Sequence, residues 1–243
     1  MIDLRSLQQK HANTAEVYGY DGVPIFATTG IHEKAFEIFK SEKVDTNEDI
    51  LVLGAGAGAF DKRLLSHGYK NVTSVEFVEG VHRVSGVRLL HNDLNKDFSD
   101  IGKFKAIIAL EIIEHLENQF HFMRNISNML KDSQSFAVVS TPNVESSFPR
   151  IKYALAGRLQ WFGQLELDGT GHITPIFDHI FRFNISQAGM KVDKKVYNKN
   201  IWPGLLVYKN LLIRAAYFIC YLSSFFILHK DNGEINLYLI KKI

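Results

Sequence analysis

The chain has 243 residues, enough for one domain with a large buried core, and its 46% hydrophobic and 22% charged content is ordinary for a globular protein. A formal net charge of +2 gives no basis for a long nucleic-acid track, and the single cysteine, Cys220, excludes an internal disulfide and a cysteine-based zinc site. A lone thiol suits a reducing, cytoplasmic setting, and the opening MIDLRSLQQKHANTAEVYGYDG lacks the apolar core of a signal peptide.

In chain order, IHEKAFEIFK carries Ile31, Ala35, Ile38 and Phe39 at helical spacing. DILVL (49–53) reads as a buried strand, GAGAGAF as a glycine-rich turn, and Asp61 to His67 as a helix closed by Gly68. VTSVE (72–76), VRLLHND (87–93) and FKAIIAL (104–110) read as the next strands, Asn118 to Leu130 as a helix, and SFAVVST (135–141) as a fifth strand stopped by Pro142. Beyond it are expected a helix from Arg150 to Leu159, a polar loop QLELDGTGHITP and a helix from Asp178 to Gln187. MKVDKKVYNKN then reads as a sixth strand, and EINLYLIKKI as the last. Short apolar strands alternating with helices imply an α/β fold, a parallel sheet with helices on both faces.

The turn LVLGAGAGAF places Gly54, Gly56 and Gly58 after a strand and before a helix, where the backbone can approach a ligand closely and helix-start N–H groups face it. Glu76, ending the next strand about 20 residues on, is placed to accept hydrogen bonds from a ribose. The same glycines satisfy a dinucleotide fingerprint, so an NAD-dependent oxidoreductase is the alternative. Its short-chain form would need a Tyr-x-x-x-Lys pair, and only Tyr238 with Lys242, on the terminal strand, matches.

ILVLGAGAGAF, VTSVE, HNDLNKDF, FKAIIALEIIEHLE and VVSTPNVESS, in this order, resemble class I S-adenosylmethionine-dependent methyltransferases over roughly residues 30 to 190. The resemblance implies a single domain (1–243) with a Rossmann-like, mostly parallel seven-stranded sheet whose last strand is antiparallel. It places Gly54, Gly56 and Gly58 along the methionine part of S-adenosylmethionine, Glu76 on the ribose, and Asp93 with Leu94 beside the adenine; Ala55, Phe77 and Leu110 complete the cofactor set. Where the family often has an acidic residue two before the first glycine, this chain has Val52. For Asp93 the competing reading is an ordinary turn.

The strand FKAIIAL ends in ExxEH: Glu111, Glu114 and His115. If a helix starts there, i, i+3, i+4 spacing gathers all three on one face at the carboxyl end of a strand, where α/β sheets bind ligands. Two carboxylates and an imidazole suit Mg²⁺, Mn²⁺ or Zn²⁺, with His172 of GTGHITP as the fourth candidate ligand. The set resembles the ExxEH and distant histidine of small-RNA 2′-O-methyltransferases and the ExxEH of ubiquinone-pathway O-methyltransferases, and STPNVE strengthens both likenesses. That resemblance implies O-methylation of one of two neighbouring hydroxyls, on a small-molecule, sugar or lipid-linked substrate. RNA is the weaker expectation, because no basic, aromatic-rich platform is visible. Without a metal, Glu111 acts near the cofactor, Glu114 and His115 serve a helix start, and His115 or His172 is the general base.

From Leu211 to Leu228 the chain carries one formal charge, Arg214, and Asn210, Arg214, Tyr217, Tyr221 and Ser224 recur at helical spacing. Residues 204–229 are therefore expected to be an apolar helical insertion. A membrane span would strand the last sheet strand on the wrong side. The candidates are a membrane-surface helix, a homodimer contact or packing against the fold itself. A non-catalytic membrane-surface scaffold is the rival from outside enzymology.

Overall fold

Strands that are apolar on both faces need helices on both faces, and the computed structural model has that arrangement over the residues it describes, 18–198, 214, 215, 218 and 233–243. A small antiparallel hairpin, β1 (Gly19–Tyr20) and β2 (Val23–Pro24), precedes α1 (Ile31–Ser41). Then come β3 (Asp49–Leu53), α2 (Ala59–Ser66), β4 (Asn71–Glu76), β5 (Arg88–His91) and β6 (Ala106–Leu110). A 3-10 turn (Ile113–His115), α3 (Gln119–Met129), β7 (Phe136–Pro142), α4 (Ser147–Ala156), α5 (Gln164–Thr170), α6 (Asp178–Gln187), β8 (Met190–Tyr197) and β9 (Ile235–Lys242) complete the described chain.

The seven-stranded sheet runs β5-β4-β3-β6-β7-β9-β8. β3, β4, β5, β6 and β7 are parallel, while β9 enters antiparallel between β7 and β8. That reversed last strand distinguishes the sheet from the 3-2-1-4-5-6 order of dinucleotide folds. Side-chain alternation assigns the two cores. Leu51, Leu53, Ile107 and Ala109 face α3 and α6 through Phe122, Ile126, Phe181 and Ile185. Ile50, Val52, Ala106 and Ile108 face α1 and α2 through Phe36, Phe39, Phe60 and Leu64. Phe122, Ile126 and Met129 of α3, and Leu130 at its C-cap, are all fully buried.

Three local expectations are corrected. The chain after β6 does not enter a helix at Glu111: Glu111 has φ 51, a single 3-10 turn follows, and α3 starts at Gln119, capped by Asn118. The polar loop QLELDGTGHITP contains α5, which buries none of its residues and so leaves no apolar periodicity to read. The helix expected over 150–159 runs instead from Ser147 to Ala156, ended by Gly157 at φ 62. Residues 204–229 lie outside the described residues except Arg214, Ala215 and Phe218. Among the described residues no helix is long and apolar enough to cross a membrane.

On α1, His32 is buried edge-on against Phe60, 5.5 Å between ring centres, with Nδ1 unpartnered. Burial first, then the Arg63 guanidinium, lowers its pKa to about 4. An unfolded histidine titrates near 6.5, so the stability gained from neutral His32 is complete above pH 6.5 and is lost as pH falls towards 4. The loss attributable to it reaches about 3 kcal/mol. Urea melts at pH 7 and pH 4.5 should show His32→Phe losing less stability on acidification than the wild type; equal losses would contradict this.

Candidate active site

The strand order changes direction between β3 and β6, and a ligand crevice is expected outside their carboxyl ends. One wall is the glycine turn. Gly54 and Ala55 both donate backbone N–H to Val75 O, at 2.9 and 3.0 Å, and Gly54, Gly56 and Gly58 have φ of 66, 54 and 90. A Cβ on Gly54 would stand 2.0 Å from Ile112 Cδ1, so glycine lets the segment leaving β6 cross close over the turn.

Glu76 is 4% exposed and points to this turn: its Oε2 accepts from Gly56 N at 2.8 Å and its Oε1 from Val78 N at 2.9 Å. A carboxylate has about four lone-pair sites, so both oxygens retain acceptor capacity for ribose hydroxyls. The donor set and the close-approach backbone fit a nucleoside cofactor lying across the turn. Below it, fully buried Asp61 accepts from Ser74 Oγ at 2.8 Å and lies 2.7 Å from His82 Nε2, tying the loop after β4 to α2. Asp93 Oδ1 accepts from Asn95 N at 3.0 Å in a turn of its own, next to buried Leu94. Phe77 follows Glu76, half-buried, and Leu110 ends β6, also half-buried.

The opposite wall carries the acidic motif, and the structure divides it. The Glu111 carboxylate is held by Thr28: the Glu111 backbone N–H donates to Ser140 Oγ at 2.9 Å, and its carboxylate accepts from Thr28 N at 2.6 Å and Thr28 Oγ1 at 3.1 Å. Burial pushes the Glu111 carboxyl up to about 7, opposed by the two Thr28 bonds and reinforced by the nearby Glu234 carboxylate. Glu114, His115 and His172 come together, each offering one ligand atom within 4.8 Å of the others.

The 3-10 turn causes that meeting. Glu114 O accepts from both Ile173 N and Thr174 N at 3.0 Å, pinning the segment after α5 alongside the turn and setting His172 against His115, 4.8 Å between ring centres. His115 Nδ1 lies 3.1 Å from Gly171 O, and His172 Nδ1 lies 2.9 Å from Trp161 O. A carbonyl partner makes Nδ1 the protonated nitrogen, so Nε2 carries the lone pair in both rings. Glu114 is fully buried with the Thr141 hydroxyl beside it, but neither carboxylate oxygen has a hydrogen bond of normal geometry. Burial and then the Glu111 carboxylate raise its pKa well above the ordinary range, while burial and then His172 lower that of His115 to about 4. A buried carboxylate without a normal hydrogen bond beside two oriented imidazoles is a donor set that fits a divalent cation. Sequence reasoning missed Thr28 and Asp61, and the string PIFATTG offers no pattern that marks Thr28.

A separate open cavity of about 350 Å³ lies against α2, lined by residues including Asp21, Lys62, Ser66, Arg83 and Ser85. It does not include the glycine turn or the acidic motif.

A family model described as a methyltransferase domain matches residues 30–185. The ubiquinone biosynthesis O-methyltransferase of Rickettsia typhi is 28% identical over 102 residues, 39% of this chain and 41% of that enzyme, so the match spans well under half of it. Among solved structures, a SAM-dependent methyltransferase from Archaeoglobus fulgidus superposes with TM-score 0.61 at 15% identity, covering 87% of this chain and 93% of that one. Magnesium protoporphyrin IX methyltransferase from Synechocystis PCC 6803, with bound SAH, superposes with TM-score 0.58 at 10% identity, covering 88% of this chain and 84% of that one.

Proposed function

Because this chain belongs to the methyltransferase-domain family, and is an S-adenosylmethionine-dependent methyltransferase of class I, we propose that it methylates an oxygen. The acceptor is a hydroxyl of a small-molecule, sugar or lipid-linked substrate. The acceptor oxygen attacks the methyl carbon, the carbon–sulfur bond breaks to leave S-adenosylhomocysteine, and the hydroxyl proton departs to a base. The cofactor lies across Gly54–Gly58 with its ribose on Glu76, Asp93 and Leu94 at the adenine end, and Ala55, Phe77 and Leu110 lining the cleft.

The observation that carries the oxygen reading is the unpartnered, buried Glu114 carboxylate beside the two imidazoles. Glu114, His115 and His172 would hold Mg²⁺, Mn²⁺ or Zn²⁺, which when bound lowers the pKa of a coordinated hydroxyl and fixes its direction. Glu111, held by Thr28, keeps a carboxylate at the same rim outside this donor set. The backbone carbonyls of Gly171 and Trp161 hold the rings in the tautomer that presents Nε2.

An apolar acceptor is supported by the arm formed by α4 and α5, which ends two residues before His172. α4 buries only Pro149 and Ile151, and the arm exposes Tyr153, Leu155 and Leu165, the last 83% exposed. The proposed partners are therefore this substrate and, through residues 204–229, a membrane surface or a second copy of the chain.

The metal reading is tested without an acceptor. Isothermal titration of the purified protein with Mn²⁺ and with Zn²⁺ should show one of them binding, and Glu114→Gln should weaken it at least tenfold while S-adenosylhomocysteine affinity stays within twofold. Undiminished metal affinity in Glu114→Gln, or none in the wild type, contradicts it.

A further inference from the structure

The segment from Tyr18 to Gly30 crosses the crevice from one wall to the other. Its base is tied down on the α2 side: Arg63 stacks 4.1 Å over the Tyr20 ring, Lys62 pairs with Asp21 at 3.1 Å, and the Tyr20 and Ser66 hydroxyls are 2.8 Å apart. On the α1 side, the Tyr18 hydroxyl donates to Glu33 and accepts from Gly30 N, at 3.2 Å for the latter, while Ile25 N donates to Tyr18 O at 2.9 Å. Between these anchors, two residues reach the two strand ends that flank the change of strand direction. Phe26 lies on the glycine turn after β3, its Cδ2 3.1 Å from where a Cβ on Gly56 would stand. Thr28 grips Glu111, just beyond β6, by both its N–H and its hydroxyl.

We propose that this strap is the cover of the cofactor cleft and that Phe26 is a cofactor-contacting residue. The inference rests on the cofactor lying across the glycine turn, because anything bound over Gly56 must meet the Phe26 ring. Two features single out Phe26. It is 42% exposed, although it sits among residues anchored by several polar contacts. An aromatic ring left so open on a glycine turn gains apolar contact only when something fills the crevice beside it. Its chain neighbours at 25 and 28 are committed elsewhere, Ile25 to the core and Thr28 to Glu111, so the backbone holds Phe26 in place without the ring's own packing. A flat face there offers contact to the sugar, to the purine or to the sulfonium, the last a cation that an aromatic face attracts.

Thr28 is the positioning residue of the cover. Its bonds to Glu111 fasten the strap to the β6 wall, so removing the hydroxyl loosens the strap without touching the glycine turn.

The test is binding of S-adenosylhomocysteine to the full chain by isothermal titration, with amide hydrogen exchange of residues 25–30 read in the same samples. Phe26→Ala is expected to weaken S-adenosylhomocysteine about tenfold, Phe26→Tyr to remain within about twofold of wild type, and the melting temperature to be unchanged, since the ring is exposed. Ligand should slow exchange in the strap of the wild type, and Thr28→Val should speed exchange in the free protein while Thr28→Ser does not. If the wild type binds and Phe26→Ala binds equally well, the strap proposal is overturned while the cofactor assignment stands. If the wild type shows no binding at all, the cofactor assignment itself has failed, and the proposal with it.

Discussion

Glu76→Ala should weaken S-adenosylhomocysteine binding about a hundredfold, equivalent to roughly 2.7 kcal/mol. Two separate losses add up to that figure. The ribose hydroxyls lose a charged acceptor, worth about 1.5–3 kcal/mol for hydrogen bonds of this kind. The N–H groups of Gly56 and Val78, now held at 2.8 and 2.9 Å, lose the anchor that fixes the turn. Glu76→Gln retains one acceptor oxygen and should lose less. Calorimetric titration checks both variants, and an affinity for Glu76→Ala within threefold of wild type would show that this carboxylate is not the ribose partner. With Val52 standing where the family often has a second acid, the carboxylate that β3 does carry, Asp49, lies exposed at the start of the strand, away from the glycine turn, and cannot compensate.

Asp61→Ala should have the largest effect on stability, about 3 kcal/mol, from a side chain that never reaches the crevice. The Asp61 carboxylate is fully buried, and it is the acceptor for Ser74 Oγ and the neighbour of His82 Nε2. Its removal leaves both groups unpaired beneath Gly58, where a Cβ would already stand only 2.7 Å from His82 Nε2. The melting temperature should fall by roughly 6–12 °C. Because His82 belongs to the loop that follows Glu76, cofactor affinity should fall along with it. A melt unchanged within 2 °C would show that Ser74 and His82 find other partners.

The sheet was readable because its central strands are covered on both faces: five short runs, each ending in Gly, Glu, Asp or Pro, admit little other than a parallel arrangement. The extra reversed strand followed from the family resemblance, not from any periodicity. The active-site geometry was harder to read. ExxEH has helical spacing, yet Glu111 adopts a left-handed backbone and a 3-10 turn replaces the helix. A positive φ at a glutamate leaves no mark in a sequence, since the residue types that favour it are Gly, Asn and Asp. Consequently the Glu111 carboxylate is taken by Thr28, and the set that gathers is Glu114, His115 and His172. Pairing His172 with His115 depends on two backbone hydrogen bonds to Glu114 O, which no side-chain pattern reports. α5 stayed invisible because a helix with no buried residue has no apolar stripe. The Thr28–Glu111 contact joins positions 83 residues apart with ordinary residue types.

The dinucleotide reading and the methyltransferase reading shared the same glycines and the same Glu76. What separates them in the structure is β9, which pairs antiparallel with β7 from Phe136↔Lys241 to Pro142↔Ile235. It is supported by the family match over residues 30–185.

A crystal structure of the chain with S-adenosylhomocysteine tests the central claim most directly. Ribose hydroxyls should lie on Glu76, the amino-acid portion along Gly54–Gly58, and the sulfur should face the side of the cleft that holds Glu114, His115 and His172. Ligand density in the cavity beside Lys62 and Arg83 instead, with the glycine turn covered only by Ile112 and Phe26, would contradict it.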